Sequence, residues 1–308
     1  MKLISFIHED QGVAPRFGAL IAGGSEVLDF CAATAGIPAP ASYLDWLNIE
    51  SDGLRAARAL HDNLLADPTK LEDLRAQGAL RPRADVRLVA PVPRPGKFIC
   101  IGLNYRDHAK EGGLEVPEVP LIFSKFPTSV TGPEHPVLLP EGSENVDYEA
   151  ELGVVIGRRG FRVPVERAYD HVLGYTNVND VSARDFQFGD GQWQRGKSCD
   201  TFAPMGEYIA TTDEIPDPHV LRISFRLNGE TLQDSNTDQM VFGVPELVAY
   251  LSRTVTLEPG DVIATGTPPG VGFARKPPIW VRDGDRMEVD IEGLGVLANP
   301  VTAALPGA

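Results

Sequence analysis

The sequence predicts a β-rich α+β protein in two units, a small N-terminal α/β unit over residues 1–91 and a larger unit over 92–308. Three observations carry that reading. After residue 97 the chain repeatedly shows short β-branched or alternating apolar runs, the pattern of strands. Helical periodicity is scarce there, and 31 glycines with 26 prolines punctuate the runs with turns, which suggests a core that is closed or rolled. Between the units, Pro91-Val92-Pro93-Arg94-Pro95-Gly96 can neither continue a helix nor sit inside a sheet, so it reads as a rigid linker.

In the first unit, Gly18 to Phe30 reads as strand, Gly-Gly turn, strand. Helical stretches follow around Ser42 to Asn48, Gly53 to Leu65 and Leu71 to Gln77. In the second unit, strand signals fall at Lys97 to Leu103, Val137 to Leu139, Glu149 to Ile156, His171 to Asp180, Leu221 to Leu227, Asp261 to Thr265 and Arg286 to Ile291. Asn228-Gly229 and Gly293-Leu294-Gly295 have hairpin-turn chemistry. Val244 to Leu251 reads as one amphipathic helix opened by Pro245.

Charge and cysteine content narrow the function classes. Against 28 Lys and Arg stand 43 Asp and Glu, a net charge of −15, which argues against nucleic acid or an anionic membrane as partner. No apolar run is long enough to span a bilayer, and Met1 to Asp10 is interrupted too early for a signal peptide. Cys31, Cys100 and Cys199 are far apart and odd in number, so free thiols in a reducing cytoplasm are expected.

The most informative run is Asp147-Tyr148-Glu149-Ala150-Glu151-Leu152-Gly153-Val154-Val155-Ile156. Read as a strand, it places Tyr148, Ala150, Leu152, Val154 and Ile156 on an apolar face, with Glu149 and Glu151 adjacent on the other. Neighbouring carboxylates repel unless something positive lies between them, and a divalent cation is the simplest candidate. A solvated edge face is the plain alternative. Asp180 ends the next strand and is placed to converge on the pair, giving three oxygen donors suited to Mg²⁺ or Mn²⁺ rather than zinc. After it, Ser182 has the chemistry to cap a short helical turn containing Arg184.

Three further segments carry chemistry. Asn104 or Asp107 has the chemistry to cap a short helix ended by Gly112 and Gly113, with His108 and Glu111 three apart on one face. A carboxylate that fixes an imidazole makes it a better general base, although such pairs are more often ordinary surface contacts. Arg195-Gly196-Lys197-Ser198 holds a lysine in a loop. Thr265-Gly266-Thr267-Pro268-Pro269-Gly270 offers backbone N–H groups and hydroxyls suited to a carboxylate, but it lacks the ending of a phosphate loop.

Taken together and in order, Gly102-Leu103-Asn104-Tyr105, Tyr148-Glu149-x-Glu151-Leu152, Asn179-Asp180-Val181-Ser182-Ala183-Arg184-Asp185, Gly196-Lys197-Ser198 and Thr265-Gly266-Thr267-Pro268 resemble the fumarylacetoacetate hydrolase family, over about Lys97 to Val301. The resemblance implies a mixed β-sandwich roll, a homodimer in most cases, and a divalent metal, Mg²⁺ or Mn²⁺ with Ca²⁺ as a substitute in crystals, held by Glu149, Glu151 and Asp180. It implies that His108 and Glu111 activate water, that Lys197 faces the reacting oxygens, and that Arg184, Gln187 and Thr267 contact substrate. Lys125 and Ser129 resemble a loop near the site, and the first unit resembles the variable N-terminal domain of bacterial members.

The chemistry so implied is hydrolysis of the C–C bond of a β-diketo acid, an acylpyruvate or 2,4-diketo acid, with a pyruvate enolate held at the metal. Oxaloacetate decarboxylation and isomerisation of a hydroxymuconate-type diacid share that enolate and are the alternatives. A small anionic keto acid is the expected partner in each case. A reading of another class is a non-catalytic protein stabilised by a structural Ca²⁺. It leaves the company of Lys197, Arg184 and the His–Glu pair without a reason. The acyl group is expected to be set by loops such as Gly112 to Pro120 and Gln187 to Arg195.

Overall fold

Ala150–Ile156, the strand carrying the acidic run, is buried at all seven positions rather than on alternate ones. It lies inside a large sheet, antiparallel to Val172–Asn179 on one side and to Val262–Ala264 on the other. The computed structural model describes residues 1–8, 14–33, 42–113 and 115–303. Of the expected readings, parts of the first ten residues, of the Gly112 to Pro120 loop and of the C-terminal end lie outside them.

The large sheet has twelve strands and is mixed, since Val262–Ala264 runs parallel to Phe98–Gly102 while most neighbours are antiparallel. Its path runs from Leu80–Pro82 through Glu26–Asp29, Arg16–Ile21 and Lys2–Ile7 to Ala203–Thr211. It continues through Val172–Asn179, Ala150–Ile156, Val262–Ala264 and Phe98–Gly102, and ends at Leu121–Lys125. Lys2–Ile7 pairs with Ala203–Thr211 (Lys2 opposite Ala210), so one sheet joins strands from both sides of the Pro91 linker.

A five-stranded sheet, ordered Glu230–Asn236, Arg222–Leu227, Arg286–Ile291, Gly295–Thr302, Val137–Leu138, packs on one face. Leu152, Val154, Tyr175, Phe225, Val289 and Leu297 share the core between them. On the other face Val155, Leu173, Val178 and Ile209 join Leu3, Phe17, Trp46, Leu54 and Leu64 from the N-terminal third of the chain. Cores on both faces are why the expected polar side of the acidic strand is buried. Both sheets are open, so the expected roll is a sandwich and not a closed barrel.

Arg286–Ile291 spans the expected residues, and the other anticipated strands differ by a residue or two at their ends. Asn228 and Gly229 have φ of +53° and +84°, a type I′ hairpin joining Leu227 to its partner Glu230. Asp52–Ala66 and Val244–Ser252 are the longest helices of the described residues. Around residue 45 the helix is the 3₁₀ type, Tyr43–Leu47, with Ser42 and Asp45 forming a capping box. Leu121–Lys125, Ala203–Thr211, Glu230–Asn236 and Gly295–Thr302 are strands beyond those expected. No helix among the described residues is long and apolar enough to cross a membrane.

Candidate active site

Register brings the three acids together. Ala150 pairs with Asn179, and the Asp180 N–H donates to the Glu149 carbonyl at 2.9 Å. Asn179 locks the corner by accepting the Glu149 N–H at 3.0 Å. Carboxylate oxygens of Glu149, Glu151 and Asp180 consequently lie within 4.8 Å of one another, with the residues 8%, 1% and 0% exposed.

Buried cations offset part of this charge. Lys197 Nζ donates to Glu149 at 2.7 Å and to Asp180 at 2.8 Å. Lys125 pairs with Asp180 and donates to the Val181 carbonyl at 3.0 Å. The Arg184 guanidinium reaches Asp147 at 2.9 Å, Glu149 at 2.5 Å and the Gln187 side-chain oxygen at 2.9 Å. Four buried carboxyl groups thus face three buried cations in a water-poor site. Burial would push the Glu149 carboxyl up, but Lys197 and Arg184 overcome it and hold the group at about 2. Glu151 touches no cation, so burial, then Asp180 and Glu149, push its carboxyl well above the usual range.

The donor set fits a divalent cation. All three groups are hard oxygen donors. Glu151 accepts one hydrogen bond, from Gly266 N–H at 2.9 Å, which leaves its other oxygen open to an ion. Neither Cys nor His joins the cluster, so the set is unlike a zinc site.

One turn anchors much of the site. Following Val262–Ala264, the segment 265–273 donates backbone N–H groups to three acids: Gly266 to Glu151, Gly270 to Glu111 at 3.1 Å, and Gly272 to Asp147 at 2.7 Å. Its amides were expected to serve a substrate carboxylate; these are occupied by the protein's own. Gly266 has φ +101°, and a Cβ there would stand 2.8 Å from the Asn104 Cβ, so only glycine fits without movement. Thr267 accepts from the Gln233 amide at 2.8 Å, and the Tyr148 hydroxyl, its ring stacked on Phe225, donates to the Gly270 carbonyl at 3.1 Å.

His108 sits on the short helix Arg106–Glu111 with Nδ1 3.3 Å from Glu111. Glu111 is fixed in turn by Gly270. The helix takes no side-chain cap. Asn104 instead bonds the Thr265 and Phe242 carbonyls at 2.7 and 3.0 Å, because that ties strand to turn across 161 residues. Ser182 likewise caps nothing. It lies in a two-residue strand pairing with Asp147, and its hydroxyl donates to the Asp180 carbonyl, while Arg184–Gly189 begins after Ala183.

A cavity of about 270 Å³ gathers the site, lined by His108, Glu149, Glu151, Arg184, Gln187, Lys197 and Thr267 together with apolar side chains. Asp180 lies beneath it against both lysines, and Glu111 stands behind His108. Asp147, Gln233 and the aromatic wall are parts of the site that sequence reasoning did not single out. Asp147 sits beside the acidic run, but nothing in its immediate sequence signals its partner Gly272, 125 residues away.

A family model described as fumarylacetoacetate (FAA) hydrolase C-terminal matches residues 97–302. The chain belongs to the fumarylacetoacetate hydrolase family, and it is an enzyme. It is 42% identical to the oxaloacetate tautomerase fahd2, mitochondrial, of Xenopus laevis over 98% of this chain and 90% of that protein. The solved fumarylacetoacetate hydrolase of Exiguobacterium antarcticum is 36% identical with a TM-score of 0.79, covering 99% of this chain and 100% of that one. The 5-carboxymethyl-2-hydroxymuconate delta-isomerase of Mycobacterium smegmatis is 35% identical with a TM-score of 0.74, over 98% and 99% of the two chains.

Proposed function

We propose that the enzyme moves a proton within a small 2-oxo acid, interconverting the keto and enol forms of an oxaloacetate-type compound with the help of Mg²⁺ or Mn²⁺. The observation that carries the reading is the buried carboxylate triad, of which Glu149 and Glu151 line the same cavity as His108. The tautomerase and isomerase names borne by similar proteins also favour it.

The proton carrier is His108. Glu111 engages Nδ1, which leaves Nε2 to take a proton from the carbon next to the 2-oxo group and return it to the oxygen. Lys197 and Arg184 supply fixed positive charge for an anionic substrate in an acidic protein. A divalent ion held by Glu149, Glu151 and Asp180 would polarise the oxo group and tip the local charge positive. Gln187 and Thr267, on the cavity wall, orient the substrate.

Acylpyruvate hydrolysis is the second reading. The Glu111-fixed imidazole favours it, since the same base can activate water. Oxaloacetate, an acylpyruvate and a hydroxymuconate analogue assayed with Mg²⁺ or Mn²⁺, and again after chelation, separate the readings. Metal-dependent ketonisation of oxaloacetate as the fastest reaction is expected; acylpyruvate cleavage without it would transfer the assignment to hydrolysis.

We also assign a homodimer and a reducing, cytoplasmic setting. Leu121–Lys125 ends the large sheet as an open edge, and Leu121, Ile122 and Phe126 beside it are 40%, 47% and 54% exposed, a surface suited to a second copy. All three cysteines are free, which supports the setting.

A further inference from the structure

Two aromatic pairs flank the cavity, and each is tied to a different site cation. Phe188 and Phe273 meet edge to face with centroids 5.9 Å apart, and the Arg184 guanidinium lies 4.6 Å from the Phe273 centroid. Also lining the cavity, Phe123 and Trp193 meet edge to face at 5.3 Å, with the Lys197 ammonium 5.0 Å from the Phe123 centroid. In each pair one ring faces a charge, and the second carries the wall away from it.

The first pair is not core. Phe188 is 57% exposed and Phe273 40%. Large apolar rings held at the lip of a binding cavity, in contact with water, are surface that a ligand can cover. Phe188 also shares its helical turn with polar site residues: in Arg184–Gly189, the positions of Arg184, Gln187 and Phe188 are i, i+3 and i+4, hence on one face.

Charge agrees. Among the described residues lining the cavity, the Lys and Arg cations are Arg184 and Lys197, both at the carboxylate end. The apolar part of the wall is Ile101, Leu103 and the four rings. A second carboxylate lying against that apolar wall would meet neither Lys nor Arg, whereas a flat apolar group would cover exposed ring surface.

We propose that the site also takes 2-oxo acids whose far end is a flat, apolar aryl group, clamped between Phe188–Phe273 and Phe123–Trp193. The proposal rests on the 2-oxo acid reading of the site and extends it from a four-carbon diacid to aryl-bearing oxo acids.

Phenylpyruvate and oxaloacetate share the 2-oxo acid head and differ in the group on the next carbon, so their relative affinity reads the far end alone. Calorimetric titration of the Mg²⁺-loaded protein is expected to show phenylpyruvate binding at least as tightly as oxaloacetate. Phe188→Ala, at an exposed ring, is expected to lower the phenylpyruvate-to-oxaloacetate affinity ratio about tenfold, and Phe188→Tyr to preserve it. Oxaloacetate binding without phenylpyruvate binding, or an unchanged ratio in Phe188→Ala, overturns the clamp while leaving the parent reading intact. Failure of both ligands to bind overturns both.

Discussion

Glu151 and Asp147 show how differently two buried acids serve one site. Glu151 has a backbone N–H for a partner and no cation, so its carboxyl is pushed up and keeps a proton above the usual range. A dication must displace that proton, so metal affinity is expected to fall on acidification, with proton release on binding. Calorimetry in buffers of different ionisation heat measures the release. The raised value also works against the metal-free fold as pH climbs. Its contribution is full below the ordinary carboxylate range and is lost as pH rises towards the raised value. Added metal should flatten that slope in thermal melts. Glu151→Gln is expected to weaken metal binding at least about tenfold and to abolish the proton release.

Asp147 is an anchor, not a ligand. It accepts from Arg184 Nε, Gly272 N–H and Phe273 N–H at once. Asp147→Asn leaves Arg184 short of a partner and loosens the turn. A stability loss of about 3 kcal/mol is expected, together with a lower kcat/KM for oxaloacetate; an unchanged melting temperature would contradict the anchoring role.

At the scale of elements, the turn over 265–273 organises the site, because its amides hold Glu151, Glu111 and Asp147. Gly266→Ala places a methyl against Asn104 at a backbone angle suited to glycine. A loss of about 1–2 kcal/mol or more is expected, with weakened metal binding because the Gly266 amide moves from Glu151. Full metal affinity in that variant would show that the turn does not position the ligand.

The same scale explains what was legible in the sequence. Glu149, Glu151 and Asp180 were readable because spacing of two along a strand and a following strand end are local signals. Ala203–Thr211 was not, because Pro204, Gly206 and Glu207 break any alternation; its identity comes from pairing with Lys2–Ile7 and Val172–Asn179. The cap roles expected of Asn104 and Ser182 were displaced by bonds to distant or irregular backbone, which no local pattern encodes.

For the whole molecule, the acidic strands are rigid because a core presses on each face of the sheet. That rigidity holds like charges together that would separate in a looser frame. The open edge Leu121–Lys125 ends in Lys125, which touches Asp180, so assembly on that edge would bear directly on the site. Ile122→Asp is expected to shift the protein to monomer in sedimentation; a dimer that persists would place the interface elsewhere.

The central claim is that Glu149, Glu151 and Asp180 hold a divalent cation that the chemistry requires. Crystals of the intact protein soaked in Mn²⁺ test it most directly. An anomalous peak bounded by oxygens of these three side chains, at about 2.0–2.2 Å, is the predicted result. No peak among them, with Lys197 still bridging Glu149 and Asp180, would contradict it.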